Sequence, residues 1–314
     1  PIGETGMITR RAFIPLVAAA ASAQDPVFRV DVKLVRVIAT VKNNSGELIG
    51  GLSKEDFEIL DNGVPQEIAV FERRTEQPLS IALLIDTSAS TAIKLEYEVE
   101  SVRRFLRALL AEGNPEDAVS LYSFNWETVL LSDFTRRIQK LEASLKPLKT
   151  GGGTSLYDAI CFAASALEER EGRHVIIIVT DGGDTTSAHN FHQALEAAQR
   201  ADSVMYPILV MPITNDAGRN IGGENALTQF AQGTGGRVFT PAERKELDRA
   251  FSEIIRELRT QYLLGYYPKN IAPTRDPFHR LTVKLLKHPE LRVSARSGYY
   301  GESAPAPEGW RPAR

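Results

Sequence analysis

The sequence predicts an α/β domain with a mainly parallel sheet flanked by helices, joined to a small antiparallel β unit built from the two ends of the chain. Three observations predict it. Residues 79–85, 118–124, 175–180 and 203–209 are nearly continuous apolar runs, the pattern of strands covered on both faces. Helical patterns fill the gaps and continue past the last run, at 94–110, 155–169, 191–200 and 243–258. Shorter, alternating strand-like segments stand before and after this block. Buried strands interleaved with helices place the α/β domain at residues 76–260.

Residues 24–75 form the amino-terminal β unit. Apolar side chains alternate over 28–34, then slip in phase at Leu34-Val35, which predicts a bulge. Asn43-Asn44-Ser45-Gly46, Gly50-Gly51 and Asp61-Asn62-Gly63 supply turns between the strands. β patterns return at 261–267, at 280–286 with alternating Leu281, Val283 and Leu285, and at 291–296. Neither unit can enclose a core alone, so residues 261–302 are expected to pair with 24–75. The proline-rich stretch 303–314 is expected to be a loose tail.

The first 23 residues are set apart as a targeting segment. From Met7 the chain runs through Arg10-Arg11, an apolar stretch over 12–21 and Ala21-Ser22-Ala23, the three parts of an export signal. The stretch is about half the ~20 residues that span a bilayer, so no membrane span is expected once the signal is removed. Thr9-Arg10-Arg11-Ala12-Phe13-Ile14 resembles the twin-arginine export motif, and residues 1–6 are set aside as a non-native or misassigned start. The expected location is therefore periplasmic or extracellular.

Composition removes several function classes. Among 314 residues, 37 Lys and Arg stand against 40 Asp and Glu, a net charge of -3, which gives no field to draw nucleic acid. One cysteine, Cys161, allows neither an internal disulfide nor a cysteine-rich zinc site. It is expected to be a buried, inert thiol among Ile160, Phe162 and Ala163.

The chemistry collects elsewhere. Asp86-Thr87-Ser88-Ala89-Ser90 comes directly after the first buried run, at the carboxyl edge where ligand sites of open α/β sheets form. Asp181 holds the same place after the run ending at Thr180, and Gly151-Gly152-Gly153-Thr154-Ser155 is a flexible loop that delivers a threonine just before a helix. Three hydroxyls and two carboxylates are hard oxygen donors, suited to magnesium, manganese or calcium rather than zinc or copper.

This order and spacing, Asp-x-Ser-x-Ser with a distant Thr and a distant Asp, resembles the metal-ion-dependent adhesion site of von Willebrand factor A domains, whose fold is Rossmann-like. The resemblance implies that Ser88, Ser90 and Thr154 ligate the ion directly, while Asp86 and Asp181 hold it through waters or hydrogen bonds to the hydroxyls. Neutral hydroxyl ligands leave much of a dication's charge uncancelled, so a coordination position held by water can be taken by a carboxylate from another molecule. The outer segments, with Leu52-Ser53-Lys54-Glu55-Asp56-Phe57 and Tyr262-Leu263-Leu264-Gly265-Tyr266-Tyr267-Pro268, are similar to those of exported bacterial von Willebrand A-related proteins common in Acidobacteria.

Each site residue alone has a structural explanation, since Asp86, Ser88, Ser90 and Thr154 could all cap helices; the five together favour a metal site. Asp158 and Asp184 fit turns or caps better than ligation, and His189 and His192 fit the surface. Enzyme signatures are missing: no lysine succeeds the glycine-rich loop, Ser88 stands where a phosphatase aspartate would be, and Gly-x-Ser-x-Gly is absent. Gly233-Thr234-Gly235-Gly236 is expected to precede a strand rather than open a dinucleotide-binding helix. The expected function is an exported, non-enzymatic binder whose protein partner presents an exposed Asp or Glu to the cation. The alternative is an accessory or scaffold subunit in which the metal is mainly structural.

Overall fold

The computed structural model of the 314-residue chain describes residues 34–73, 77–210, 220–271 and 276–301. The export segment, residues 28–33 of the predicted strand and the 303–314 tail lie outside the described residues, while Leu34 and Val35, where the phase slip was expected, stand at the start of the first described strand. In chain order the strands and helices begin with β1 (Val35–Lys42), β2 (Phe57–Asp61), β3 (Val64–Gln66), β4 (Ile68–Arg73), β5 (Leu79–Asp86) and α1 (Leu95–Glu112). Then come β6 (Ala118–Phe124), β7 (Thr128–Thr135), α2 (Ile138–Ser144), α3 (Leu156–Glu168), β8 (Arg173–Thr180), α4 (Phe191–Arg200) and β9 (Ser203–Leu209). The chain continues through α5 (Ile221–Thr234), α6 (Arg244–Leu258), β10 (Tyr262–Tyr266), β11 (Phe278–Leu285), β12 (Arg292–Ala295) and β13 (Gly298–Tyr300).

The central sheet has five strands in the order β7-β6-β5-β8-β9. β5 runs parallel to β6 and β8, β8 runs parallel to β9, and β7 closes one edge antiparallel to β6. Every residue of β5, β6, β8 and β9 is buried. Side chains alternate between two apolar layers: Ile81, Leu83 and Ile85 face Val102, Leu106 and Ile254, while Ala82 and Leu84 face Ile160, Ala163 and Leu227. Burying each Ile or Leu contributes about 1.5–3 kcal/mol, so the sheet fixes its own strand ends and the loops that leave them.

The remaining strands form two antiparallel sheets, β12-β1-β10-β4 and β13-β11-β2-β3. β1 lies between β10 and β12, with Val35 opposite Tyr266 and Ala39 opposite both Tyr262 and Ala295. Val37, Ala39, Ile59, Tyr262, Leu264 and Leu281 share one apolar cluster drawn from both sheets and both ends of the described chain. Asn62 and Gly63 take φ of 47° and 82°, the left-handed pair a tight hairpin between β2 and β3 requires.

The structure departs from the sequence expectations at β7, α2 and α5, in one glycine motif and at Cys161. β7, α2 and α5 are elements that the sequence pattern did not announce: β7 is an edge strand exposed on much of its length, and α5 carries Gly222, Gly223 and Gly233, which weaken a helical signal. Gly233-Thr234-Gly235-Gly236 ends α5, with Gly235 in the left-handed cap at φ 85°, and the segment after it pairs with β9 in an isolated Ile208–Phe239 bridge rather than in a strand. Cys161 is half-buried rather than fully buried, and that burial pushes its thiol up to about 11. No helix among the described residues is long and apolar enough to cross a membrane.

Candidate functional site

Asp86 is the last residue of β5 and is fully buried. Its Oδ1 accepts the Ser88 backbone N–H at 2.8 Å, and its Oδ2 accepts the hydroxyl of Thr180, the last residue of β8, at 2.6 Å. Beyond it the chain makes a short 3-10 turn, Ala89–Thr91, fixed by the Thr91 hydroxyl on the carbonyls of Asp86 and Ser88. That turn sets the Ser88 and Ser90 hydroxyls 3.1 Å apart and lets Ser90 donate to Asp181 Oδ1 at 3.0 Å. Asp86, Ser88, Ser90 and Asp181 are thus linked in one chain of contacts across β5 and β8.

The glycine loop reaches the same edge. Gly151 pairs with Ser88 in a single parallel bridge, its N–H on the Thr87 carbonyl at 2.9 Å. Thr154, at 8% exposure, is tied to the loop after β8: its N–H donates to the Thr185 hydroxyl at 2.8 Å, and its carbonyl accepts the N–H groups of Thr185 and Thr186. No hydrogen bond joins Thr154 to the other four residues among those described. Its placement rests on the two loops that bracket it.

Capping does not use these hydroxyls. Ser88 precedes the 3-10 turn and Ser155 precedes α3, and neither makes a side-chain capping bond. Asp184 and Asp158 hold local structure instead. Asp184 accepts the N–H of Tyr157 and both the N–H and hydroxyl of Ser187; Asp158 accepts the N–H groups of Ala188 and His189 and holds the His189 ring at 2.7 Å.

Glu98, on α1, is the residue that sequence reasoning missed. It is 1% exposed, and neither carboxylate oxygen has a hydrogen-bond partner among the described residues. Burial pushes it up to about 8; the ammonium of Lys94 pulls the other way, and the charges of Asp86 and Asp181 add to the rise. Asp86 is likewise raised to about 6, first by burial and against the hydrogen bonds from Thr180 and Ser88. Lys94 donates to the Val210 carbonyl at 3.0 Å. The detectable signal was a carboxylate on the stripe Leu95, Val99 and Val102, which faces the core.

Asp86 and Glu98 are buried carboxyl groups beside the partly exposed Asp181, and among the described residues the ammonium of Lys94 is the opposite charge acting on Glu98. Burial favours the neutral form of such groups until positive charge is placed beside them. With Ser88 and Ser90 adjacent, the donor set is hard oxygen throughout and suits a hard dication. Large apolar side chains rim this edge: Ile93 is 94%, Trp126 62% and Ile221 66% exposed. Trp126 neighbours Asn125, which donates to the Thr87 hydroxyl, and its carbonyl accepts the Ser155 hydroxyl. Ile221 opens α5, whose Gly223 packs directly on Gly183 beside the Asp181 turn.

Comparison with known proteins agrees with this architecture. The family model of the von Willebrand factor type A domain matches residues 81–184. No curated protein matches the chain in sequence. Among solved structures, a von Willebrand factor type A protein from Catenulispora acidiphila superposes with a TM-score of 0.51 at 11% identity, covering 76% of this chain and 71% of that one. The vWF domain of the type V pili tip protein Mfa5 from Porphyromonas gingivalis gives 0.48 at 16% identity, over 57% and 94%. The PilB minor pilin from Streptococcus sanguinis gives 0.46 at 12% identity, over 59% of this chain and only 62% of that pilin's length. The protein thus contains a von Willebrand factor A-type domain, with a mostly parallel central sheet flanked by helices and separate antiparallel sheets beside it.

Proposed function

We propose that this protein is an exported binding module that engages a protein partner through a divalent cation at the carboxyl edge of its central sheet. Ser88, Ser90 and Thr154 supply direct oxygen ligands; Asp86 and Asp181 hold the hydroxyls and the charge. Magnesium is the expected ion, with manganese or calcium able to replace it. The bound ion would supply Lewis acidity toward a partner's Asp or Glu carboxylate. The chain binds and does not catalyse.

One observation carries this reading: hydrogen bonds link Asp86, Ser88, Ser90 and Asp181 across the carboxyl ends of β5 and β8, and Ser88 makes no side-chain capping bond. Von Willebrand A domains bind protein partners, and exposed Trp126, Ile93 and Ile221 around the edge favour a protein surface over a small solute. Export rests on the signal-like pattern at residues 7–23.

The test immobilises the full chain and passes native envelope proteins over it. Partners retained in magnesium should elute with chelator and should not be retained by Asp181→Ala, whose partly exposed carboxylate leaves folding stability within about 0.5 kcal/mol of the parent. Retention unchanged by chelator and by Asp181→Ala rejects the mechanism.

A further inference from the structure

At the opposite end of the central sheet, where β8 and β9 begin, a cavity of about 30 Å³ lies in the seam with the antiparallel sheets. From the antiparallel side it is lined by Arg36, Leu263 and Arg296; from the other side come Arg173, Asp202 and Thr234. The seam is a built contact: Thr234 bridges Arg296, and Ser297 donates its N–H to the Gly233 carbonyl at 3.1 Å.

Three guanidinium groups and one carboxylate thus line this space. Asp202 is already engaged: Arg296 Nη1 donates to its Oδ1, and Arg36 stands 3.7 Å from its Oδ2. Arg296 Nη2 donates to the Arg36 carbonyl. Arg173 spends Nη1 on neutral acceptors, the Leu258 carbonyl at 2.7 Å and Gln261 Oε1 at 3.2 Å. Glu72 and Asp117 act on it through space, and its burial still lowers it to about 10. Arg173 and Arg296 are only 7% and 9% exposed, yet the Nε–H of each has no acceptor among the described residues.

A buried donor without an acceptor is costly, and so is a buried charge without its opposite. A water molecule would answer the first cost alone; a small anion answers both. At ~10–15 Å³ for each water-sized occupant, the cavity has room for a monatomic anion. We propose that the seam cavity binds one small monovalent anion of chloride size, held by the Nε–H groups of Arg173 and Arg296, and that this anion fastens the antiparallel sheets to the helical domain.

The experiment uses the full chain in chelator, so that its outcome does not depend on the cation site. Thermal unfolding is monitored in sodium chloride and in sodium gluconate at equal ionic strength, and the chloride NMR linewidth is recorded with and without protein. Chloride at about tenfold its Kd should raise the midpoint by about 3 °C over gluconate, and the protein should broaden the chloride resonance. Arg296→Gln should lose both effects while keeping its circular dichroism spectrum. Arg173→Lys retains the charge but lacks the Nε–H, and should weaken chloride at least about tenfold. Because the linewidth is read on the unaltered protein, a variant that fails to fold leaves that arm decisive. Absence of protein-dependent broadening overturns the proposal, as does a chloride effect that survives unchanged in both variants.

Discussion

At the carboxyl ends of β5 and β8, Asp86 and Asp181 share an edge with Ser88 and Ser90, near the buried Glu98 on which Lys94 acts; at the amino ends of β8 and β9, Arg36, Arg173 and Arg296 line a cavity together with Asp202. The apolar strands between them are similar throughout, so the two ends differ in what the connecting loops bring. The carboxyl end is open and rimmed by Trp126, Ile93 and Ile221. The amino end is flanked by the antiparallel sheets, which supply Arg36, Leu263 and Arg296 to its cavity. Hydroxyls and a partly exposed carboxylate at an open sheet edge suit exchange with a partner; buried guanidinium N–H groups without acceptors inside a seam suit a resident counter-ion that holds two layers together.

Substitutions can break this contrast, beginning with the strongest. A Cβ on Gly236 would lie 1.9 Å from the Met205 carbonyl oxygen, a clash with strand backbone that no rotamer relieves. Gly236→Ala should lower stability by about 3 kcal/mol in urea unfolding, while leaving divalent-ion affinity in the surviving folded fraction unchanged. A parallel loss of ion affinity would show that the two ends are not independent.

The next effect is a pH dependence. Glu98 ionises near 4.5 when unfolded and near 8 when folded. Between those values the folded chain keeps a proton that the unfolded chain has released. Its stabilising contribution is therefore complete below pH 4.5 and lost as the pH rises through 8. In chelator the unfolding free energy should fall across this window, and Glu98→Gln should raise it by roughly 2 kcal/mol at the alkaline end. The variant should keep only the more acidic slope that Asp86, raised to about 6, contributes with the same sign. An unchanged profile in Glu98→Gln would show that this carboxylate is not the desolvated group. The smallest expected effect is that of Trp126→Ala: unfolding within about 0.5 kcal/mol of the parent, with weaker partner retention.

The sequence exposed the parallel strands and the cation motif for the same reason: both are local. A strand covered on two faces must be apolar at consecutive positions, as in 79–85, and Asp86, Ser88 and Ser90 fall within a single turn after it. The features that stayed hidden depend on distant partners or on residues that disguise their element. The Val35–Tyr266 register joins segments far apart in the chain, and Arg36, Arg173 and Arg296 come together only once that register forms. α5 was masked by its glycines, one of which, Gly223, is required because its Cβ would meet Gly183 Cα at 2.5 Å. Glu98 looked like ordinary helix surface until α1 packed its stripe against the sheet.

The central claim is that the hydroxyls and carboxylates at the carboxyl edge hold one dication. Manganese titrated into the full chain, with the electron paramagnetic resonance signal of the free ion as readout, tests it most directly. The account predicts that the free signal is suppressed until one equivalent is bound, that magnesium restores it by competition, and that Ser88→Ala and Asp181→Ala, though folded, suppress it far less. Equal suppression by the parent and both variants, or none by any of them, would contradict the account.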